Sequence, residues 1–272
     1  ESAVQLGIRY VEFDVQLTAD HVPVVFHDAD LARVAGRPES VHNLTWSDLS
    51  EIPVGETARL GHKHAFTCPP SLAQVADSLA GWDDVTAFVE IKRSSLRKFG
   101  REAVLRRVTD VLRPVLNRCV LISFDLASVK ILRLMTGARI GWVLSEYDDA
   151  ACAEAAALAP EFLFVNLERL PDPGEPLWPG PWAWAVYEIR DLKTARACHQ
   201  RGAKFVESMT VRGLLGAMRE RKCTVLAHGA TGRGNDQLGF ERYTNVLAPS
   251  MRVYAPWRDP ELIAEFPGRR EM

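Results

Sequence analysis

Short apolar segments alternate with amphipathic helical patterns along most of this chain, and that rhythm limits the folds available to it. Candidate strands occupy residues 10–17, 87–92, 119–124, 140–144, 162–166, 183–189 and 204–207. Helical patterns lie between most of them, as at residues 71–79, 100–116, 151–158 and 192–200. Strands and helices that alternate in this way predict an α/β protein with a parallel sheet covered by helices.

The number of repeats favours a closed barrel over the competing doubly wound sheet. Residues 22–26 read as a hairpin partner of the first strand, which leaves seven strand–helix repeats. Residues 1–7 look like the end of a helix with a glycine cap, and there is no initiator Met, so we expect an upstream segment to have been removed. One strand before that helix would make eight, the number of a (β/α)8 TIM barrel. The sequence therefore predicts a TIM barrel that lacks its first strand.

Two stretches depart from this rhythm. Residues 29–70 are polar and irregular and predict an insertion after the second barrel strand, with a short capped helix within residues 43–49. Near residue 225 a strand-like segment runs into a glycine-rich loop at residues 228–236, beyond the point where the barrel is complete. We therefore predict two domains, residues 1–221 and residues 222–272, the second being a short extra α/β fragment.

The bulk composition narrows the classes of protein and partner. Hydrophobic content of 47% and charged content of 25% are typical of a soluble globular protein, and a net charge of -2 does not predict a nucleic-acid partner. No apolar run approaches the length of a membrane span. The five cysteines are odd in number and widely scattered, which predicts reduced thiols and a cytoplasmic location. The composition leaves the oligomeric state open.

Two carboxylates lie two residues apart in an extended and otherwise apolar segment. Alternate side chains of a strand leave the same face, so Glu12 and Asp14 are neighbours there, while Val11 and Phe13 face the other way. Neighbouring carboxylates repel each other and lose hydration, and a bound cation offsets both costs. The pair thus predicts a metal site, the alternative being the solvated face of an edge strand.

Further ionisable residues end the neighbouring predicted strands. Glu90 and Lys92 share one face of the next strand, and His27 follows the hairpin partner. Because barrel active sites lie at the C-terminal ends of the strands, Glu12, Asp14 and Glu90 should converge into a cup suited to Mg²⁺ or Ca²⁺. A lysine neutralises phosphoryl oxygens, and a histidine moves protons near neutral pH. Taken alone, Glu90 with Lys92 is an ordinary ion pair, and His27 lies in a turn. Together these residues predict a phosphate-processing site.

A set of motifs across residues 1 to about 221 carries a resemblance to a known family. The motifs are Val11-Glu12-Phe13-Asp14-Val15, Leu17-Thr18-Ala19-Asp20, Pro23-Val24-Val25-Phe26-His27-Asp28, Leu31 with Arg33, Pro70-Ser71-Leu72, Val89-Glu90-Ile91-Lys92 and Ile122-Ser123-Phe124. In this order they resemble the glycerophosphodiester phosphodiesterase family. The aromatic residue that the family has near its seventh strand corresponds to Tyr187.

The resemblance implies a reaction and a role for each site residue. Glu12, Asp14 and Glu90 would be metal ligands, Lys92 would contact the phosphate, and His27 would be one of two histidines that share acid/base work. Family members hydrolyse glycerophosphodiesters to an alcohol and glycerol 3-phosphate, a small-molecule substrate class. The family's first strand supplies the second histidine and an arginine, and this sequence does not contain it. Because one acid/base partner contributes about a hundredfold to ten-thousandfold, we expect impaired turnover.

The tail carries a second resemblance. Its motifs are Ala227-His228-Gly229-Ala230-Thr231-Gly232-Arg233-Gly234-Asn235-Asp236-Gln237, Phe240-Glu241, Leu247-Ala248-Pro249 and Val253-Tyr254-Ala255-Pro256-Trp257-Arg258. These residues resemble argininosuccinate synthase, which implies that Thr231, Asn235 and Asp236 contact amino-acid substrates, with the glycine-rich loop near ATP. Gly239 stands where that family has a citrulline-binding arginine, and the family's N-terminal nucleotide loop is absent from this sequence.

Three hypotheses follow. The first is a metal-dependent glycerophosphodiester phosphodiesterase, a phosphoric diester hydrolase that uses a divalent cation, Mg²⁺ or Ca²⁺. The second is an argininosuccinate synthase-like, ATP-dependent ligase fragment, supported by the tail. The third is a metal- or phosphate-binding remnant without turnover. The diester, and the choice between the two metals, are not predicted.

Overall fold

The structure is a computed structural model that describes residues 4, 9–57, 65–171, 174–207, 225–227 and 252–254. Its strands are β1 (Tyr10–Leu17), β2 (Pro23–Val25), β3 (Thr86–Ile91), β4 (Cys119–Ser123), β5 (Arg139–Val143), β6 (Phe162–Asn166), β7 (Ala183–Tyr187), β8 (Ala203–Val206), β9 (Val225–Ala227) and β10 (Arg252–Tyr254). The α-helices are α1 (Ala32–Ala35), α2 (Trp46–Leu49), α3 (Leu72–Ala80), α4 (Arg93–Phe99), α5 (Arg101–Leu112), α6 (Leu126–Thr136), α7 (Asp149–Leu158) and α8 (Leu192–Gln200). None of the helices in these ranges combines the length and apolarity that a bilayer crossing requires.

The main sheet confirms the predicted α/β class. Its order is β2-β1-β3-β4-β5-β6-β7-β8. Strand β2 is antiparallel to β1, and the neighbouring pairs from β1 through β3, β4 and β5 to β6 are parallel. The seven other strands of this sheet follow one another in chain order, as the predicted repeats require. In the β1–β3 pair, Glu12 lies opposite Phe88 and Asp14 lies opposite Glu90. Paired residues of parallel strands face the same side, so this register sets the arrangement of the candidate site.

Local sequence signals explain where the helices begin and end. Ser71 and Gln74 form a capping box at the start of α3, and Asp125 caps α6 by accepting from a main-chain N–H. Gly137, with φ 62°, ends α6 in the left-handed conformation that glycine adopts without strain. The strands β3 and β4 are apolar and almost completely buried, which is typical of a parallel sheet covered on both faces.

Aromatic side chains fill the inner face of the sheet below the carboxylates. The Phe88 ring lies 5.0 Å from that of Phe162 and 5.1 Å from that of Phe164, measured between centroids, in edge-to-face geometry. Gly141 makes room for them, since a Cβ there would stand 2.9 Å from the Ile122 Cγ2 atom. Phe88 lies opposite Glu12 and two residues before Glu90, so these rings pack next to the carboxylates on the same face of the sheet.

The predicted insertion builds a small core of its own. Val24 and Phe26 of the hairpin region are buried together with Leu31, Val41 and Leu49. The short capped helix expected within residues 43–49 is present as α2, and Thr45 with Asp48 closes its capping box. The insertion therefore packs onto the hairpin that carries His27 toward the site.

The chain divides into two compact units. One is formed mainly by Ala3–Val165 and Trp178–Trp184, and the other mainly by Asn166–Leu177 and Ala185–Met272. The second unit contains α8, β8 and the short parallel pair of β9 with β10. The predicted boundary near residue 222 and the loop residues Thr231, Asn235 and Asp236 lie outside the described residues, so the domain division stays a prediction.

Candidate metal centre and active site

Three carboxylates meet near the end of the parallel pairing of β1 with β3. One ligand oxygen from each of Glu12, Asp14 and Glu90 lies within 4.8 Å of the others; the first residue is exposed and the other two are half-buried. We call these three residues the carboxylate cup. The parallel register alone accounts for the closeness of Asp14 and Glu90. The structure thus brings together the three residues that the sequence proposed as metal ligands.

Lys92 lies against the cup. Its Nζ atom is 2.9 Å from Asp14 Oδ1 and 2.9 Å from Glu90 Oε1, and its side chain is 17% exposed. Burial alone would lower the pKa of Lys92, but the Glu90 and Asp14 carboxylates outweigh burial and raise that pKa. Burial also raises the pKa of Glu90, against the opposing charge of Lys92. The lysine therefore remains an ammonium group, as contact with a phosphate requires.

The spacing of the cup fits a hard divalent cation. Carboxylate oxygens are the ligands that Mg²⁺ and Ca²⁺ prefer. Ca²⁺–oxygen distances of about 2.3–2.6 Å allow ligand atoms to stand up to about 5 Å apart, which covers the observed spread. Mg²⁺, at about 2.0–2.1 Å, needs every pair within about 4.2 Å. The oxygen donors thus suit either ion chemically, and the observed spacing of up to 4.8 Å matches the range for Ca²⁺.

His27 belongs to a series of hydrogen-bonded charged side chains beside the cup. Its Nδ1 atom lies 2.5 Å from Asp28 Oδ1, and Asp28 Oδ2 accepts from the Arg33 Nε–H at 2.7 Å. Burial would raise the pKa of Asp28, but the hydrogen bonds from Arg33 and His27 outweigh it and lower the pKa. The Phe26 N–H donates to the Asp14 carbonyl oxygen at 2.9 Å, so the residue before His27 is fixed beside a residue of the cup. With Nδ1 engaged by Asp28, Nε2 is the nitrogen left to exchange a proton with a ligand.

The other described histidines are engaged elsewhere. The His21 ring packs against Phe99 at 4.9 Å between centroids. His42 is buried and its Nδ1 atom lies 2.9 Å from the Leu17 carbonyl, while that of His199 lies 3.1 Å from the Ala203 carbonyl. His62 and His64 lie outside the described residues. Among the histidines of the described ranges, His27 is thus the one associated with the cup.

Two residues of the site were not assigned a role from the sequence. Asp28 orients His27, and the buried Gln16 bonds to the main chain of both. For Asp28 the signal was its place directly after the histidine. For Gln16 a signal existed only in its period-two spacing from Asp14, which put it on the cup's face of β1.

Comparison with known proteins supports the first resemblance. Residues 1–165 match the Glycerophosphoryl diester phosphodiesterase family. A phosphodiesterase from Oleispira antarctica, solved in complex with the product sn-glycerol-3-phosphate, superposes with a TM-score of 0.65 at 19% identity, over 80% of this chain and 87% of that one. A glycerophosphodiester phosphodiesterase from Parabacteroides distasonis superposes with a TM-score of 0.64 at 18% identity, over 81% of this chain and 87% of that one. These likenesses confirm the fold class.

The tail gives separate matches. Residues 200–266 match the Arginosuccinate synthase N-terminal HUP domain. Argininosuccinate synthase from Gallus gallus is 36% identical over 124 residues, which is 46% of this chain and 28% of that protein. The Rattus norvegicus protein is 42% identical over 99 residues, 35% of this chain and 21% of that protein. The chain thus spans between a fifth and a third of the length of these curated relatives.

Proposed function

Because the chain belongs to the glycerophosphoryl diester phosphodiesterase family, whose members are phosphoric diester hydrolases, we propose that it hydrolyses glycerophosphodiesters to an alcohol and glycerol 3-phosphate. The observation that carries the proposal is the convergence of three carboxylates on one point, with Lys92 in contact with two of them. The product complex of the Oleispira antarctica protein supports the choice of substrate class.

Each site residue has a task in this proposal. Glu12, Asp14 and Glu90 would hold a divalent cation, whose charge would offset the negative charge on the phosphate oxygens during hydrolysis. Lys92 pairs with a phosphate oxygen through its ammonium group. His27, oriented by Asp28, transfers a proton at Nε2: it either takes one from the attacking water or gives one to the leaving alcohol oxygen.

The proposal is tested by release of glycerol 3-phosphate from glycerophosphocholine. We expect release by the purified chain, loss of release in EDTA, and recovery when Mg²⁺ or Ca²⁺ is returned. A parallel preparation of the His27→Ala variant controls for contaminating hydrolases. Absence of metal-dependent release would favour the remnant without turnover, and binding of the metal alone would then be measured by calorimetry.

A second candidate function belongs to the tail. The match of residues 200–266 and the parallel pair of β9 with β10 support an argininosuccinate synthase-like fragment. The glycine-rich loop follows β9 directly in sequence, where a nucleotide- or substrate-binding loop is common in α/β folds. In this proposal Thr231, Asn235 and Asp236 bind the amino-acid substrates.

This second proposal is tested by calorimetric titration of the full chain with citrulline, aspartate and ATP. We expect binding of at least one of them, lost in the Asn235→Ala variant and retained in a matched Asn245→Ala variant. If none of the three ligands binds, the ligase-fragment proposal is wrong.

A further inference from the structure

A buried amide lies behind the candidate site. Gln16 is 1% exposed and follows Asp14 at two residues' distance, on the same face of β1. A primary amide carries two N–H donors and an oxygen with two lone pairs. Burial without partners for these groups would be strongly destabilising. A glutamine at this place therefore needs an account of all four hydrogen bonds.

All four are made. The Gln16 Nε2 group donates to the carbonyl oxygen of His27 at 3.2 Å and to that of Asp28 at 3.1 Å. Its Oε1 atom accepts from the hydroxyls of Ser94 at 2.7 Å and Ser95 at 2.8 Å. The amide has only this orientation available, because a carbonyl oxygen accepts a hydrogen bond and cannot donate one.

These bonds join two segments of the site that are distant in sequence. His27 and Asp28 follow β2, whereas the two serines lie in the first turn of α4, directly after Lys92. The His27 side chain is 64% exposed, so packing does little to place its ring. Its position depends on Asp28 and on the main chain that the Gln16 amide holds.

We propose that Gln16 is a positioning residue, which holds the His27–Asp28 main chain at the height of the carboxylate cup and in register with Lys92. The inference rests on the proposed hydrolase function and adds a residue to it. Gln16 does not touch the substrate in this account. It acts through His27, by limiting where the imidazole stands relative to the phosphate.

Substitutions that remove the N–H donors of Gln16 distinguish a positioning role from a role in packing alone. Gln16→Met keeps the volume and loses all four hydrogen bonds, and we expect kcat to fall about tenfold to a hundredfold while KM changes little. Gln16→Glu keeps the acceptor oxygens but sets a carboxylate against two carbonyls, so we expect a loss at least as large. The matched control, Ser94→Ala, removes one bond to Oε1 and leaves both donors, and kcat should stay within about threefold.

A double-mutant cycle tests whether the effect passes through His27. With an activated p-nitrophenyl diester, which keeps slow variants measurable, Gln16→Met should reduce kcat no further in a His27→Ala background. Additive losses would overturn the proposal, because Gln16 would then act on the cup or on the fold as a whole. Unchanged affinity for Ca²⁺ in Gln16→Met supports the same conclusion, and a loss of that affinity contradicts it.

Hydrogen exchange tests whether Gln16 holds the His27–Asp28 main chain, and this measurement does not depend on turnover. In the full-length chain, Gln16→Met should speed amide exchange in a peptide spanning residues 24–31 by about tenfold or more, with no change in a peptide from β4 and none in Ser94→Ala. Unchanged exchange in residues 24–31 would overturn the inference. If Gln16→Met does not fold, Gln16→Asn replaces it, since its shorter amide cannot reach both sides. A wild-type chain that folds but releases no glycerol 3-phosphate contradicts the proposed function, while the exchange result still decides the role of Gln16.

Discussion

The charge balance around Lys92 governs what the carboxylate cup can hold. Its ammonium contacts Asp14 and Glu90, both half-buried, at 2.9 Å each. Burial disfavours the charged forms of both Glu90 and Lys92, and the attraction between their opposite charges favours those forms. Three carboxylates with one ammonium leave a net negative charge, which a divalent cation neutralises.

A single neutral substitution should therefore disable the cup. Glu90→Gln removes one ligand charge without changing the size of the side chain. We expect metal affinity to fall about tenfold to a hundredfold, and glycerol 3-phosphate release to fall at least as much. Calorimetry with Ca²⁺ or Mg²⁺ and the release assay measure the two effects. Glu154→Gln, at an exposed ion pair with Lys130, is the matched control, and equal losses in both variants would argue against a role for Glu90 as ligand.

At the scale of the element, helix α6 begins with a charged cap. The Asp125 carboxylate accepts from the Ser128 N–H at 2.9 Å and from the Arg101 Nε–H at 2.7 Å. The hydrogen bond from Arg101 is the main cause of its lowered pKa. A carboxyl whose pKa is lower in the folded state contributes stability above its unfolded pKa, about 3.9 for Asp, and loses it as the pH falls through the folded value.

Asp125→Ala should consequently destabilise the protein in a pH-dependent way. At pH 7 we expect the free energy of unfolding to fall by about 1 kcal/mol, the usual value of an N-cap. The difference between wild type and variant should shrink as the pH falls below about 4, because the wild-type carboxylate becomes protonated. Urea unfolding at pH 7 and pH 3 measures it, with the exposed Asp110→Ala as control. A difference that grew in acid would contradict the assignment.

The inner face of the sheet gives a second prediction at this scale. In Gly141→Ala the new methyl would stand 2.9 Å from Ile122 Cγ2 and 3.0 Å from Phe164 Cε2. Such overpacking costs about 1–3 kcal/mol, which urea unfolding would detect. Gly81→Ala is the matched control, since its nearest atom is the Ser78 carbonyl oxygen at 3.5 Å and its φ is negative. Equal stability of the two variants would mean that the β5 backbone can shift to accept a side chain.

At the scale of the whole molecule, the two family matches fall on different parts of the chain, residues 1–165 and residues 200–266. The carboxylate cup, Lys92, His27 and Gln16 all lie within the first match and within one compact unit. The predicted division at residue 222 would therefore separate the proposed hydrolase site from the tail.

Deletion of residues 222–272 tests that division. Because every residue proposed for the hydrolase site lies within residues 1–165, we expect the shortened chain to bind metal with unchanged affinity and to release glycerol 3-phosphate at a rate within about threefold of the full chain. Circular dichroism and the release assay measure the outcome. An unfolded or inactive shortened chain would show that the tail belongs to the same cooperative unit as the sheet.

Much of the sheet and part of the site were predictable from the sequence. β1 and β6 have the predicted bounds, and other strands of the main sheet end within two residues of theirs, because each strand is a short apolar run between polar turns. The alternation of side chains along a strand was enough to pair Glu12 with Asp14 and Glu90 with Lys92. Such signals are local, and they survive without knowledge of the fold.

The sequence alone determined which residues are strands, that a capped helix lies within residues 43–49, and which carboxylates share a face, since these depend on neighbours a few positions away. Only the tertiary structure decided that Asp14 stands opposite Glu90, that Lys92 bridges them, and that Gln16 ties His27 to the start of α4. Apart from the local pair of Lys92 with Glu90, these contacts join residues 76 to 79 or 11 to 12 positions apart, and the register that creates them is set by packing of whole strands. Long-range contacts of this kind produce no periodic pattern in the sequence. The hydrogen bonds of Gln16 can therefore be recognised only once the strands are assembled.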